Sequence, residues 1–152
     1  MRIRKAEIND FNTIMSWIKD ENECRNWAGP KVRYPLNIVD LLKDLQYSKT
    51  NSYCLINDNN ILAFGQLLPK EEGLIHMARI IVAPSYRGFG HGKTLCKNLI
   101  QTAEQLGCQK VSLFASRSNI ISTTLYKNLG FKEISEKSSD DRCYMVKTLH
   151  AL

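Results

Sequence analysis

Arg87-Gly88-Phe89-Gly90-His91-Gly92 is a glycine-rich hexapeptide that follows the apolar run Ile80-Ile81-Val82 and precedes apolar residues at helical spacing. Glycine lets the backbone approach an anion closely, and the first N–H groups of a helix point toward a negatively charged ligand. The order of strand, loop and helix therefore predicts a site for phosphate groups. A turn that simply needs positive φ angles is the structural alternative.

Two common phosphate-binding motifs do not fit this hexapeptide. A P-loop, G-x-x-x-x-G-K-[ST], would need glycine at position 87, where the chain has Arg87. A dinucleotide motif, G-x-G-x-x-G, would start at Gly88 and need glycine at position 93, where the chain has Lys93. The pattern that remains is Arg-x-x-Gly-x-Gly, formed by Arg87, Gly90 and Gly92.

This pattern resembles the signature of the GNAT superfamily of N-acetyltransferases, which is Arg or Gln, two residues, Gly, one residue, and then Gly or Ala. The resemblance covers about residues 74–132. The segment from Val82 up to Arg87 leads into the motif as in the family, and the residues that follow it in the family's order are Asn119, Leu125-Tyr126 and Leu129-Gly130-Phe131. The resemblance weakens between residues 20 and 50. The resemblance implies an enzyme that depends on acetyl-coenzyme A (acetyl-CoA).

The implied fold is α/β (α+β), with a central mixed, mostly antiparallel sheet flanked by about four helices. In this GNAT fold the sheet is splayed between the fourth and fifth strands, and the pantetheine arm of coenzyme A (CoA) enters the opening. Hydrophobic periodicity predicts the individual elements. Strands are expected at 3–5, 53–56, 61–64, 74–82, 111–115, 131–134 and 143–146, helices at 11–18, 38–45, 95–106 and 119–129, an irregular loop at 21–35 and a turn at 69–73.

The resemblance also implies which residues bind the cofactor. Backbone groups of the apolar run are expected to pair with the pantetheine amides, and the hexapeptide with its two following residues is expected to surround the pyrophosphate. Asn119 matches the family residue that hydrogen-bonds pantetheine, although an asparagine there could equally cap a helix. The expected cofactor residues are Ile80, Ile81, Val82, Arg87, Gly88, Phe89, Gly90, His91, Gly92, Lys93, Thr94, Asn119 and Tyr126.

The implied reaction is direct attack of a primary amine on the thioester in a ternary complex. In the family, a tyrosine at the position of Tyr126 lies near the thioester sulfur, so Tyr126 is expected to protonate the leaving thiolate. His76 lies on the predicted fourth strand near the place where some relatives carry a glutamate base, and histidine titrates at roughly 6.5. His76 is therefore the candidate base, with Glu72 or a water chain as alternatives; Cys96 fits a core position.

The acceptor is predicted only as a small amine or a protein N-terminus. Trp27 and Tyr34 flank Gly29-Pro30 in the region where the resemblance is weakest, and with Glu72 they are the tentative substrate-binding residues. Aromatic residues at such spacing are more often packing residues. The substrate assignment is therefore an expectation that depends on the geometry of this region.

The composition limits which classes of protein this chain can belong to. The chain has 152 residues, 43% hydrophobic and 24% charged, which suits a single domain over 1–152. Five scattered cysteines suggest no metal site, and Asn9-Asp10 interrupt the start before any leader could form, so a cytoplasmic protein without a membrane partner is expected. The net charge of +6 favours anionic ligands. We expect a monomer or homodimer; a non-catalytic CoA sensor and, less favoured, a nucleic-acid-binding module are the alternative functions.

Overall fold

The computed structural model describes residues 1–149 and contains a seven-stranded sheet with the strand order β1-β2-β3-β4-β5-β7-β6. Its elements are β1 (Arg2–Lys5), α1 (Asp10–Met15), α2 (Glu21–Ala28), α3 (Ile38–Asp44), β2 (Ser52–Asn57), β3 (Asn60–Glu71), β4 (Leu74–Val82), α4 (His91–Gln105), β5 (Lys110–Ser116), α5 (Ile120–Asn128), β6 (Lys132–Glu133) and β7 (Arg142–Thr148). Two 3₁₀ turns lie at Pro84–Tyr86 and Ser135–Lys137. The predicted α/β class is confirmed.

The sheet is mixed, as predicted. Strands β1 and β2, β2 and β3, β5 and β7, and β6 and β7 pair antiparallel, whereas β4 and β5 are parallel. The β4–β5 ladder runs from Leu74 opposite Lys110 to His76 opposite Ser112. It covers three of the nine residues of β4. This short ladder agrees with the predicted splay between β4 and β5.

Helix α2 occupies part of the segment for which we predicted an irregular loop. Asp20 caps the helix with its side chain, which accepts a hydrogen bond from the Glu23 N–H at 2.8 Å. Gly29 ends the helix at φ 76° and donates its N–H to the Arg25 carbonyl. Both capping residues are present in the sequence, but Gly29, Pro30 and Pro35 are also typical of a loop, and for residues 21–28 the loop prediction is wrong. Residues 1–149 thus contain five α-helices instead of about four, and none of them has the length and apolar character that a membrane span requires.

Several other boundaries differ from the predictions; helix α4, for example, begins at His91 and not at residue 95. Helix α1 is Asp10–Met15 instead of 11–18, and the Asp10 carboxylate accepts hydrogen bonds from the Arg4 guanidinium at 2.7 Å and from the Glu7 N–H. Strand β3 continues through Pro69 to Glu71, so the predicted turn over 69–73 shortens to two residues. Proline is tolerated near the end of a strand, where its missing N–H removes little pairing.

The chain forms two compact units, and their boundaries fall inside β3, β4 and α4. The first unit comprises Met1–Gln66 and Arg79–Leu95. Its core is built on Phe11, whose ring meets Tyr47 and Phe64 edge to face at 5.2 and 5.3 Å. The buried members are Ala6, Phe11, Ile14, Trp17, Ile18, Cys24, Val32, Leu41, Leu45, Cys54, Ile56, Phe64, Ile81 and Ala83.

The second unit comprises Leu67–Ala78 and the described residues from Cys96 onward. In β5, Val111, Leu113 and Ala115 are buried, whereas Phe114, on the other face of the strand, is 42% exposed. Alternation of this kind directs one face of β5 into the core and leaves the other face available for ligands. Other buried residues of this unit are Leu67, Met77, Cys96, Leu99, Ala103, Phe131 and Met145.

Candidate active site

The glycine-rich segment 87–94, called the cofactor loop below, follows the 3₁₀ turn after β4 and includes the first four residues of helix α4, all within the first unit. Gly88 and Gly90 have φ angles of 87° and 82°, in the left-handed region that favours glycine. A Cβ at either position would meet no atom within 4 Å, so the backbone conformation alone calls for glycine there. Gly92 differs, since its backbone is helical and a Cβ would contact Val82 at an ordinary 3.5 Å.

The cofactor loop ends in a helix N-terminus whose donors are arranged for an anion. The Thr94 N–H makes the first intrahelical hydrogen bond, to the Gly90 carbonyl at 3.1 Å. The amides of His91, Gly92 and Lys93 precede it and are therefore the ones that a helix leaves without an intrahelical acceptor. Helix α4 has 15 residues, long enough for an aligned backbone dipole to favour negative charge at this end.

The charged side chains of the cofactor loop do different things. Arg87 donates from Nε to the Val82 carbonyl at 3.1 Å and thereby ties the loop to the last residue of β4. Lys93 is exposed, and Phe89 is 74% exposed with its ring 6.2 Å from that of His91. Because Arg87 already donates to Val82, the backbone amides of the loop are the groups best placed to donate to an anion, and the two cations could add charge.

Strand β4 approaches the cofactor loop through Ile80, Ile81 and Val82. Ile81 is 8% exposed and belongs to the core, whereas Ile80 and Val82 are half-buried. Arg79, directly before them, has φ 54°, which an L-residue in a strand rarely adopts. A residue of this kind interrupts the regular strand geometry just ahead of the segment expected to receive pantetheine.

Arg79 is held in place by a network within the first unit. Its guanidinium donates to Gln66 Oε1 at 2.9 Å and to the Leu45 carbonyl at 3.3 Å. The Trp27 indole N–H donates to the Arg79 carbonyl at 2.9 Å. Burial lowers the pKa of Arg79 from its usual value, yet an arginine stays charged at neutral pH. The network explains how a left-handed residue can persist inside β4.

The predicted substrate residues lie in separate surroundings. The Trp27 indole is used by Arg79, while the Tyr34 hydroxyl donates to the Lys19 carbonyl at 3.0 Å and its ring borders a cavity of about 140 Å³. Glu72 is exposed in the turn between β3 and β4. A substrate role for these three residues stays a prediction. For Trp27 and Tyr34, the contacts also show the packing role that aromatic residues usually have.

In the second unit, Asn119 caps helix α5. Its Oδ1 accepts the Ser122 N–H at 3.1 Å, so the capping alternative raised by the sequence describes this side chain. The same residue is exposed, and a side-chain amide has a second, donating end. Capping therefore leaves the predicted contact with pantetheine compatible with the structure, but untested.

Tyr126 lies inside α5 and is 8% exposed, with its ring 6.0 Å from that of Phe131. Burial, and secondarily the nearby Cys96 thiol, raises the pKa of Tyr126 well above that of an exposed phenol. The hydroxyl therefore keeps its proton throughout the neutral range, as a general acid must before the reaction. Burial also raises the pKa of Cys96 to about 12, so that thiol stays protonated and fits the core position predicted for it.

His76 lies at the last registered pair between β4 and β5. Its Nδ1 is 2.8 Å from the hydroxyl oxygen of Ser112, a polar residue only 1% exposed. The imidazole is 5.5 Å from the Phe114 ring and nearly parallel to the Tyr144 ring at 6.5 Å. The tautomer decides which atom donates: if Nδ1 carries the proton, it donates to Ser112 and leaves the lone pair on Nε2.

These residues line a cavity of about 350 Å³ that lies entirely within the second unit, called the aromatic cavity below. Its walls are formed by Lys70, Glu71, Leu74, His76, Ser112, Phe114, Lys137 and Tyr144. Of these residues, only His76 was predicted from the sequence as a site residue. Ser112 and Phe114 alternate with Val111, Leu113 and Ala115 along β5, which is the signal that could have placed them on one face. Tyr144 joins them because it pairs with Phe114 between β5 and β7.

Comparison with known proteins identifies the type of domain. The sequence matches the acetyltransferase (GNAT) family over residues 12–131. It is 39% identical to glucosamine 6-phosphate N-acetyltransferase of Trypanosoma brucei brucei over 57 residues, 38% of this chain and 37% of that one. It is 32% identical to spermine/spermidine N(1)-acetyltransferase of Bacillus subtilis over 80 residues, 52% of this chain and 53% of the relative. The matches with these two relatives thus span about half of their length or less.

Solved structures share the fold over nearly the whole chain. The PaiA N-acetyltransferase of Thermoplasma acidophilum in complex with coenzyme A superimposes with a TM-score of 0.78 at 20% identity, covering 97% of this chain and 98% of that one. The ribosomal-protein-alanine N-acetyltransferase of Brucella melitensis gives a TM-score of 0.79 at 17% identity, covering 98% and 100%. At such identities the likeness concerns the fold.

Proposed function

The chain belongs to the acetyltransferase (GNAT) family, and on that premise we propose that it binds acetyl-CoA and transfers the acetyl group to a primary amine. The observation that carries the proposal is the geometry of the cofactor loop. Left-handed glycines at positions 88 and 90 lead into the N-terminus of α4, where the amides of His91, Gly92 and Lys93 precede the first intrahelical bond. Such an arrangement suits the oxygens of a pyrophosphate.

The rest of the proposed cofactor site follows the family pattern. Ile80, Ile81 and Val82 would offer backbone groups to the pantetheine amides in the way that a sheet edge accepts an added strand. Asn119 would contribute its side-chain amide. In this proposal Arg87 acts mainly by tying the cofactor loop to Val82, and Lys93 adds positive charge near the phosphates.

Acetyl-CoA would supply an activated thioester, so no covalent intermediate with the protein is required. The amine nitrogen attacks the acetyl carbon, the new C–N bond forms and the C–S bond breaks. Two proton transfers complete the balance: a base removes one proton from the amine, and the departing sulfur receives one. We assign the second transfer to Tyr126, whose burial keeps its hydroxyl protonated before the reaction.

We assign the first transfer to His76. The Ser112 hydroxyl, 2.8 Å from Nδ1, restricts how the imidazole ring can turn. With Nδ1–H donating to that hydroxyl, Nε2 has the lone pair needed to accept the amine proton. Glu72 and a water chain are the other candidates for this role, and Glu72 is less suited because it lies exposed in a turn outside the aromatic cavity.

The acceptor is proposed to be a small amine or a protein N-terminus. Relatives named above are called acetyltransferases for glucosamine 6-phosphate, for spermine or spermidine and for the alanine of a ribosomal protein. The named acceptors are an anionic sugar, polycations and a polypeptide end. All of them carry an amine, but the charge and size of the group that bears the amine differ. The choice among them has to come from this chain's own residues.

Calorimetry with CoA, followed by an amine screen, tests the proposed function. We expect saturable CoA binding and, with acetyl-CoA present, release of free thiol that depends on the added amine. A protein that binds CoA but releases no thiol with any amine, in a mixed set of amino acids, polyamines, amino sugars and N-terminal peptides, would be a sensor instead of an enzyme. Failure to bind CoA at all would contradict both the enzyme and the sensor hypothesis.

A further inference from the structure

From the aromatic cavity we infer the class of acceptor: a primary amine that carries an anionic group beside a flat or apolar body, in contrast to a polyamine. This inference rests on the proposed function, because it assumes that His76 receives the amine proton. The cavity volume of about 350 Å³ lies at the small end of the range for small-molecule sites. It suits a compact ligand of roughly amino-acid size.

The inner wall of the cavity is one face of the sheet. His76 pairs with Ser112 across β4 and β5, and Phe114 pairs with Tyr144 across β5 and β7. Registered neighbours point their side chains to the same face, and Ser112 and Phe114 share that face because they are two residues apart. The four side chains therefore form one continuous surface with the imidazole at one end and the two aromatic rings at the other.

The aromatic end of this surface is suited to a flat or apolar group. The Phe114 and Tyr144 rings lie 5.0 Å apart at 61°, and Phe114 is 42% exposed, unusual for a phenylalanine. An exposed aromatic ring in a concave surface is where a ligand's apolar body gains most from leaving water. A polyamine has a flexible chain with charges spread along it and no flat or apolar body to fill this end of the cavity.

The net charge of the cavity wall favours an anion. Lys70 and Lys137 contribute two positive charges and Glu71 one negative charge. Within residues 1–149 none of the three takes part in an ion pair. The Lys137 ammonium lies 5.2 Å from the centre of the Tyr144 ring, and the Arg142 guanidinium lies 3.9 Å from that of Phe114. The two lysines against one carboxylate leave a net positive charge on the cavity wall, which attracts an anionic acceptor group and repels a polycation.

The test compares three amines that share a size range and differ in charge: phenylalanine, its amide and spermidine. We expect phenylalanine to have the highest kcat/KM for thiol release, and its amide, which lacks the carboxylate, to be at least about tenfold poorer. Binding is measured separately by titrating phenylalanine into the full-length protein and following the ring-proton resonances of Phe114 and Tyr144. Saturable shifts at these two rings are expected even without acetyl-CoA.

A matched pair of variants connects the preference to the cavity. Lys137→Glu should abolish or invert the ratio of kcat/KM between phenylalanine and its amide, whereas Lys49→Glu, the same change at an exposed turn residue of the first unit, should leave the ratio unchanged. Far-ultraviolet circular dichroism shows whether both variants fold. If Lys137→Glu does not fold, Lys70→Glu replaces it with the same expected loss.

The outcomes separate this inference from the proposed function. A preference for spermidine, or an unchanged ratio in folded Lys137→Glu, would overturn the inference while acetyl transfer still stands. Ring-proton shifts without any CoA binding would support the acceptor site and contradict the acetyltransferase proposal. No shift at Phe114 or Tyr144 up to millimolar phenylalanine, with acetyl transfer to another amine, would place the acceptor elsewhere.

Discussion

The cofactor loop and the aromatic cavity are built in opposite ways. The cofactor loop is consecutive in the chain and acts through its backbone, with left-handed glycines and helix amides. The aromatic cavity gathers side chains that lie between Lys70 and Tyr144 in the sequence, on the four strands β3, β4, β5 and β7 and on the 3₁₀ turn Ser135–Lys137. A backbone site changes little when side chains change, whereas a side-chain cavity can change its chemistry at each substitution. This difference supports our proposal that the first region binds the cofactor and that the second region selects the acceptor.

The largest expected effect comes from Gly90→Val in the cofactor loop. A β-branched residue at φ 82° is strained, so the loop must take another path and its amides lose their arrangement. We expect CoA affinity to fall by more than about a hundredfold, the loss of several charge-assisted hydrogen bonds. Calorimetry with CoA measures it.

Gly107→Val is the control for this variant. Gly107 has nearly the same φ, 81°, and a Cβ there also meets nothing within 4 Å, but it lies after α4, far along the chain from the loop. The free energy of unfolding should fall to a similar degree in both variants, by about 1–2 kcal/mol. Only Gly90→Val should lose its affinity for CoA. Equal CoA affinity in the two variants would remove the cofactor loop from the proposed site.

Tyr126→Phe tests whether turnover can be lowered without changing ligand binding at the cofactor loop or at the aromatic cavity. The substitution removes only the hydroxyl of a buried ring, so CoA affinity and the KM for the acceptor should stay near those of the unmodified protein. Turnover should fall about a hundredfold, the lower range for loss of a general acid. Turnover measured with saturating substrates decides the point; an unchanged kcat means that the sulfur leaves without help from this residue.

His76→Ala should show a smaller effect that depends on pH. At neutral pH an aliphatic amine is mostly protonated, since its pKa is roughly 10, so loss of a base should lower kcat/KM about tenfold. As pH rises, more amine arrives deprotonated and the activity of the variant should approach that of the unmodified protein. A pH–rate curve parallel to the unmodified one across pH 6–10 would exclude His76 as the base.

Ser112→Ala should have the smallest effect and refines the role of the cavity. The variant loses the 2.8 Å contact that restricts the imidazole, so both tautomers become accessible. We expect kcat to fall about threefold, the effect of one neutral hydrogen bond, with CoA affinity unchanged. Rescue by Ser112→Thr, which restores the hydroxyl, would identify the hydrogen bond as the cause; an equal loss in both variants would point to packing.

The two regions also differ in how well the sequence predicts them. The strand, loop and helix around positions 80–94 follow from local signals, because glycine conformation and helix starts are encoded within a few residues. The structure has the strand and the glycine-rich segment where they were expected, and α4 begins at His91, four residues before its predicted start. His76 could be named from its place on β4, but Ser112, Phe114 and Tyr144 join it through strand pairing between distant segments, which periodicity does not reveal.

Helix α2 shows a different reason for a missed element. Asp20 and Gly29 are ordinary signals for the start and the end of a helix, yet the eight residues between them include few apolar side chains. Its buried residue is Cys24, and Trp27 is only partly buried. The helix therefore depends on its capping and on tertiary contacts more than on an amphipathic pattern, and a prediction based on hydrophobic spacing passes over it.

The hydrogen bond from the Trp27 indole to the Arg79 carbonyl gives the protein a natural optical label. Indole emission depends on the polarity around the ring and on the partner of its N–H, so this tryptophan reports on the β4 backbone directly ahead of Ile80. The chain contains two tryptophans, and replacing buried Trp17 by phenylalanine leaves Trp27 as the single emitter. Movement of β4 at Arg79 would then appear as a wavelength shift, which makes ligand-linked motion measurable by stopped-flow fluorescence without attaching a dye.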